Sequence, residues 1–300
     1  MLIVSSKVTI RSQAEKFFQT LQDGICSEVQ AVDNKRIFQP DIWSHPEGGG
    51  GKTRILQHGQ IFEKAGVNFS AVTSELTETL ASRLDVQPQR IYATGISLVL
   101  HPTSPMIPTV HMNLRYLEFE HGDAWFGGGI DLTPYYLFEE DANHFHRTLK
   151  SACDKHDPTF YPRFKQWCDE YFFIKHRGEA RGIGGIFFDY LREDLEKVFV
   201  FVQDIGKVFL DAYLPIVDRR RNEPWGEQEK EWQLIRRGRY AEFNLLYDRG
   251  TLFGLETRGR TESILMSLPP EVKWLYNHTP APGSREARLL DVLKQPREWA

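Results

Sequence analysis

Three hundred residues leave room for one large domain or two smaller ones, and a formal net charge of −4 is too acidic for a broad nucleic-acid footprint. The composition, 41% hydrophobic and 26% charged, is that of an ordinary globular protein, so an anionic ligand must be met by local arginines. Cys26, Cys153 and Cys168 make no C-x-x-C pair and no even-numbered framework, and no apolar run approaches signal-peptide or membrane-span length. Buried thiols, a reducing compartment and a cytoplasmic location are the expectation.

In chain order, Lys7 to Val32 sets Ile10, Ala14, Phe17, Phe18, Leu21, Ile25 and Val29 at helical spacing, which predicts an amphipathic helix within residues 1–35. Phe38 to Gly59 reads as a Gly/Pro/polar loop. Its "EGGGGKTR", Glu47 to Arg54, has the look of a phosphate loop, but a Walker sequence needs glycine where Pro46 stands, with a strand before and a helix after. The run is expected instead to be a mobile lid from which Lys52 and Arg54 reach an anionic ligand.

An ordered stretch begins at "FEKAGVNFSAV", and two alternating strands follow. "IYATGISLVLH" puts Ile91, Ala93, Gly95, Ser97, Val99 and His101 on one face. "VHMNLRYLEFE" puts His111, Asn113 and Arg115 on one face and Met112, Leu114 and Tyr116 on the other. "EHGD" predicts a turn into the strand "AWFGGGIDL". Glu139 to about Arg177 is helical with a break near Asp157-Pro158; "GIGGIFFDYL" is a further strand; Glu193 to Tyr213 and Gly226 to Arg237 are helices. "YAEFNLLYDRGTLFGLET" is expected to be a hairpin turning at Asp248-Arg249-Gly250. Helices near Glu271–Tyr276 and Ser284–Leu293 close the chain. The sum predicts α+β: a large, mainly antiparallel sheet sandwiched between helical layers, in a single domain over 1–300.

Three constellations could carry chemistry. His121-Gly-Asp123 has the H-x-D spacing that opens an iron facial triad, yet it sits where a hairpin must turn, and turn chemistry is the stronger reading. The alternating face with Ser97, His101, His111, Asn113 and Arg115 is either solvated or the lining of a polar cavity. "WFGGGIDLTP" adds Asp131 after three glycines, and "HRGEARGIGG" adds His176, Arg177 and Arg181. A histidine for proton transfer, a carboxylate base and arginines for planar acids suit an acidic organic substrate. His101, His111, His146 and His176 are also available to a metal, although their sequence spacing is not that of a ligand set.

"PTVHMNLRYLEF", "WFGGGIDLTPYY", "HFHRTLKSACDKH", "YFFIKHRGEARGIGGIFFDYL" and "YDRGTLFGLETRGRTESILMSLPP" resemble oxygen-dependent coproporphyrinogen III oxidase, as does "GGGGKTR...FEKAGVNFS". The resemblance runs from about Gly48 to Trp274. It implies oxidative decarboxylation of two propionates of coproporphyrinogen III to vinyl groups with O2, giving protoporphyrinogen IX in haem synthesis, without an organic cofactor. It further implies a homodimer, with residues 240–276 as the dimerisation segment. His111 matches the proton donor. Ser97, Asn113, Leu114, Arg115, Arg258, Gly259 and Arg260 match substrate contacts, and Asp131 and Arg181 match positions that hold or activate substrate. A divalent cation, manganese by preference, is implied for some members at histidines matching His101, His111, His146 and His176.

On this footing Asp131 is expected beneath the macrocycle accepting pyrrole N–H groups, with Arg115 and Arg181 gripping propionates. Two positions depart from the family pattern: Tyr190 stands where a second aspartate is common, and Arg258 where Gly or Asn is common. The rivals are a metal-dependent oxygenase built on His121 and Asp123, and a non-catalytic tetrapyrrole carrier.

Overall fold

The computed structural model describes residues 9–76, 78, 81, 87–256 and 259–300. Its first helix, α1 (Ile10–Asp33), starts where the Thr9 hydroxyl accepts the Ser12 amide and ends where Asn34 turns left-handed, φ 54°. Ala14, Phe18, Ile25, Cys26 and Val29 bury the predicted stripe.

Seven antiparallel strands follow as a meander with one late addition: β1 (Gln39–Ser44), β2 (Gly49–Gln57), β3 (Phe62–Glu75), β4 (Arg90–Pro102), β5 (Thr109–Phe119), β6 (Ala124–Thr133) and, at the far edge, β9 (Gly185–Leu191). The chain reaches β9 through α2 (Glu139–Asp154), α3 (Phe160–Tyr171) and a two-stranded ribbon, β7 (Phe173–Ile174) with β8 (Glu179–Ala180). Helices α4 (Leu195–Lys207), α5 (Phe209–Arg220), α6 (Glu227–Leu246), α7 (Arg249–Glu256), α8 (Thr261–Leu265) and α9 (Arg285–Lys294) complete it.

The sheet's two faces differ sharply. Val67, Phe69, Ile96, Leu98, Met112, Leu114, Phe126, Ile130 and Phe188 form one, packed beneath α1 and α4; there Phe199 stacks on Phe126 with ring centroids 5.6 Å apart and meets Phe17 edge-on at 6.0 Å. The opposite face is built of Thr53, Asn68, Ser70, Ser97, Asn113, Arg115 and Asp131, interleaved with glycines, as the register requires. Period-two alternation therefore separates core from site across the whole sheet.

Five local expectations give way. The glycine run is no lid. Gly48 and Gly49 make a left-handed turn, φ 127° and 82°, and the chain continues as β2, where Gly51 lies under the Trp43 indole with no room for a Cβ. Lys52 and Arg54 point to the helical face, and both pair with Asp23 of α1. The expected 240–257 hairpin is helical instead: Tyr240, Phe243 and Asn244 recur at helical spacing inside α6, and Asp248 caps α7 by accepting the Thr251 amide at 2.9 Å. Glu193–Tyr213 divides into α4 and α5 at Val208. Glu271–Tyr276 forms no helix. The Lys273 amide donates to Leu234 O at 2.9 Å and the Trp274 indole to Glu242 at 2.8 Å, which lays that segment along α6. The helix expected to reach Arg177 stops at Tyr171, and the ribbon follows.

The three thiols are buried and unpaired. Burial pushes Cys26 up to about 11 and Cys153 up to about 12. No helix among the described residues is long and apolar enough to cross a membrane.

A polar valley on the sheet as candidate active site

Four neighbouring strands, β3 to β6, spaced ~4.8 Å apart, give a floor about 14 Å across. Ser97 pairs with Asn113, Val99 with His111, Gly95 with Arg115, and His111 with Asp131. One face thus collects residues as far apart in sequence as Asn68 and Asp131. Along this face Asn68, Ser70, Ser97, His111, Asn113 and Arg115 are half-buried, so the valley is open to solvent.

At one wall lies a relay of charges. Asp131, 2% exposed, accepts from His111 Nδ1 at 2.7 Å and from Arg181 at 2.7 Å through its other oxygen. Burial alone would push this carboxyl up. Arg181 and the His111 hydrogen bond outweigh that and hold it below the usual carboxylate range. Arg181 reaches Asp131 because the ribbon β7–β8 ends beside it, with the Arg181 amide on Phe172 O at 2.9 Å. Its guanidinium also donates to Asn244 at 2.7 Å and lies over the rings of Phe172 (4.1 Å), Tyr240 (4.4 Å) and Phe243 (4.9 Å). Arg181 is thus enclosed behind Asp131, and the expectation that it grips a ligand directly does not match its position. Asp131 likewise has both oxygens engaged. The group this relay presents to the valley is His111, whose Nδ1 is fixed by Asp131 and whose Nε2 has no partner among the described residues.

Arg115 lies along the floor, donating to Asp189 at 2.6 Å and to Asn113 Oδ1 at 3.0 Å. Leu114, expected among the ligand contacts, sends its side chain into the core, since it is one residue out of phase with Asn113 and Arg115. Gly259 closes onto Gly254 O at 2.8 Å, and Arg260 pairs with Asp41 at the rim. Arg258 lies outside the described residues. Asn68, Ser70 and Asp189 also belong to the valley but were not among the residues singled out from sequence. Asn68 and Ser70 are legible in the alternation Lys64, Gly66, Asn68, Ser70, whereas Asp189 needs the pairing of β9 with β6.

The four histidines proposed for a metal do not converge. His101 holds Thr109 Oγ1 at 3.2 Å and Ser267 O at 2.8 Å. His146 holds Tyr161 Oη at 2.9 Å and Ile183 O at 3.1 Å, and His176 holds Tyr247 Oη at 2.7 Å and Glu242 at 2.9 Å. Six ring nitrogens are committed to three separate surroundings, and among the described residues no group of three or more His, Cys, Asp or Glu side chains is placed to bind a metal ion. The residues present do not fit a metal held by these four histidines within one chain. His121 is exposed on its turn, and Asp123 pairs with Arg192 at 2.8 Å, as turn chemistry implied.

Tyr190 adopts a left-handed backbone, φ 53°, and its ring stacks on Trp125 at 5.6 Å, with Arg192 over both rings, so it caps one end of the valley.

Burial of the neutral histidines has a measurable consequence. Burial, reinforced by the Lys165 charge, pushes His146 down to about 3, against ~6.5 in an unfolded chain. A lowered folded value means that the stabilisation is present above pH ~6.5 and is lost as pH falls toward 3. About 2 kcal/mol is expected to disappear between pH 7 and pH 5 from this group. Urea midpoints across that range should show it, and His146→Gln should flatten the slope. A variant slope as steep as the wild type would refute the assignment.

The fold and site together describe an α+β protein in which one face of a seven-stranded antiparallel sheet forms an open polar valley beside a buried carboxylate–histidine pair. A family model for coproporphyrinogen III oxidase matches residues 13–299. The chain belongs to the coproporphyrinogen III oxidase family, as the sequence motifs implied.

Proposed function

We propose that this chain converts coproporphyrinogen III to protoporphyrinogen IX with O2 as electron acceptor and without an organic cofactor. The observation that carries the reading is the gathering of Ser97, His111, Asn113 and Arg115 on one half-exposed face, with Asp131 and Arg181 locked behind His111.

In each of two rounds, one propionate loses a hydrogen from the carbon next to the pyrrole and its carboxyl departs as CO2. The electrons of the broken carbon–carboxyl bond become the vinyl π bond, while the two electrons of the broken C–H bond pass through the electron-rich tetrapyrrole to O2, which takes up the C–H proton and the carboxylic-acid proton and leaves as H2O2. Arg115 binds a propionate and sets the register of the macrocycle on the floor. Asn113 and Ser97 face the same ligand surface. His111 transfers the proton at Nε2, while Asp131 holds its Nδ1 proton and orients the ring. Arg181 keeps Asp131 ionised and immobile. Arg260, now paired with Asp41 at the rim, is placed to exchange that partner for a second propionate.

The same reading makes the active protein a homodimer. Leu245, Leu246, Leu255, Trp274, Leu275 and Tyr276 all stand exposed within the 240–276 segment, more apolar surface than a free monomer ordinarily leaves uncovered in one segment. Light scattering should give twice the chain mass, and Leu246→Glu with Tyr276→Ser should give the monomer. A wild-type monomer at micromolar concentration would end that part of the proposal.

The deciding experiment incubates the protein with coproporphyrinogen III in air and under nitrogen, with and without chelator, and follows CO2 and protoporphyrin fluorescence. Product in air alone, unaffected by chelator, is the expected outcome. Absence of CO2 in air would leave a tetrapyrrole carrier. His121→Ala is expected to retain full turnover, and its loss would revive a site on His121 and Asp123.

A further inference from the structure

Asp189 has no role in the scheme above, yet it is in direct contact with the Arg115 guanidinium. Strand β9 carries it onto the valley face beside Gly127, with its side chain 8% exposed. One oxygen accepts from Arg115 at 2.6 Å and the other accepts the Tyr190 amide at 3.0 Å, so the carboxylate is fixed from both sides. Gly127 is what permits the pair to lie flat. A Cβ there would stand 2.4 Å from Asp189 Oδ1 and 3.0 Å from Arg115 Nε and Nη2. Arg115 itself is 29% exposed, and Asn113 holds its other terminal nitrogen at 3.0 Å. Of five guanidinium N–H groups, Asp189 and Asn113 take two, which leaves three for a ligand carboxylate.

We propose that Asp189 is a positioning residue that pre-sets Arg115 as the receptor for one carboxylate of the ligand, with Gly127 as the slot that makes the pair possible. The inference rests on the reading of Arg115 as a carboxylate anchor. An arginine already held in one rotamer gives up little freedom when the ligand arrives, so the benefit falls on binding more than on chemistry.

Asp189→Ala is expected to raise KM for coproporphyrinogen III by about tenfold or more, with kcat within about threefold. In an Arg115→Ala background the same change is expected to add nothing to the loss in kcat/KM, because Asp189 acts only through Arg115. Additive losses, or an unchanged KM in the single variant, would overturn the proposal. Asp189→Asn, which can keep the Tyr190 contact, serves if the alanine variant does not fold. Should the wild-type protein release no CO2, the reading of function fails by itself. Fluorescence titration of coproporphyrin into the same four proteins then still decides the positioning role, by the same pattern in Kd.

Discussion

Asp131→Asn is expected to lower turnover by about a thousandfold or more, approaching the ~10⁴ that loss of the orienting carboxylate causes in the Ser-His-Asp relay. The reason is geometric. Asp131 accepts on both oxygens, from His111 Nδ1 and from Arg181. An asparagine offers one acceptor and one donor. If the amide nitrogen faces Arg181, two donors oppose each other inside a closed site. If it faces His111, the ring must take the other tautomer, and Nε2 carries a proton that it should be able to accept. The substitution also leaves the enclosed Arg181 charge without its partner, a loss of about 3–5 kcal/mol in comparable buried pairs. The variant should therefore be measured at 25 °C with its folded fraction checked by urea titration. Turnover within tenfold of wild type, in folded protein, would remove Asp131 from the relay.

The second large effect belongs to stability. Arg181→Met is expected to cost about 3–5 kcal/mol at pH 7.5, since it strands a buried carboxylate. Its pH dependence gives the mechanism away. In the wild type the lowered Asp131 value contributes stability that is present above pH ~3.9 and lost as pH falls below it. Without Arg181, burial is the largest remaining influence and raises that carboxyl, so the variant loses stability as pH climbs above ~3.9. The gap between the two proteins should widen from pH 4.5 to pH 7.5 in chemical denaturation. A gap that does not change with pH would mean that Arg181 contributes packing on Phe172, Tyr240 and Phe243 rather than charge. Adding Asp131→Leu to Arg181→Met should recover much of the stability and none of the turnover, because a buried pair is often replaceable by apolar groups of similar size while its chemistry is not.

The polar stripe of β5 shows how far sequence reading goes. His111, Asn113 and Arg115 alternate with Met112, Leu114 and Tyr116, and a period of two has only one interpretation once the strand is recognised. The motifs of the chain likewise carry the family. Sequence reading went wrong where local composition and tertiary demand disagree. Four glycines before a lysine suggested mobility, but Gly48 is there for its left-handed turn, and Gly49, Gly50 and Gly51 are small because Trp43 and the neighbouring strand press on them. An Asp-Arg-Gly triplet suggested a hairpin, but the burial of Tyr240 and Phe243 against the arginine below them carries the helix through to Leu246.

What the sequence determined by itself was the fold class, the helical stripe of α1, the two faces of β4 and β5, and the family. Each depends on residue order within a window of a few turns or strands, where spacing translates directly into direction. Tertiary structure alone decided which groups are free to act. Asp131 and Arg181 are 50 residues apart and Arg115 and Asp189 are 74 apart. No spacing rule states whether such a pair meets. Nor does any rule tell that His101, His146 and His176 spend both ring nitrogens on separate partners, or that Lys52 and Arg54 turn away from the valley. Those outcomes belong to register and packing, which set the direction of each side chain only after the sheet has closed around its neighbours.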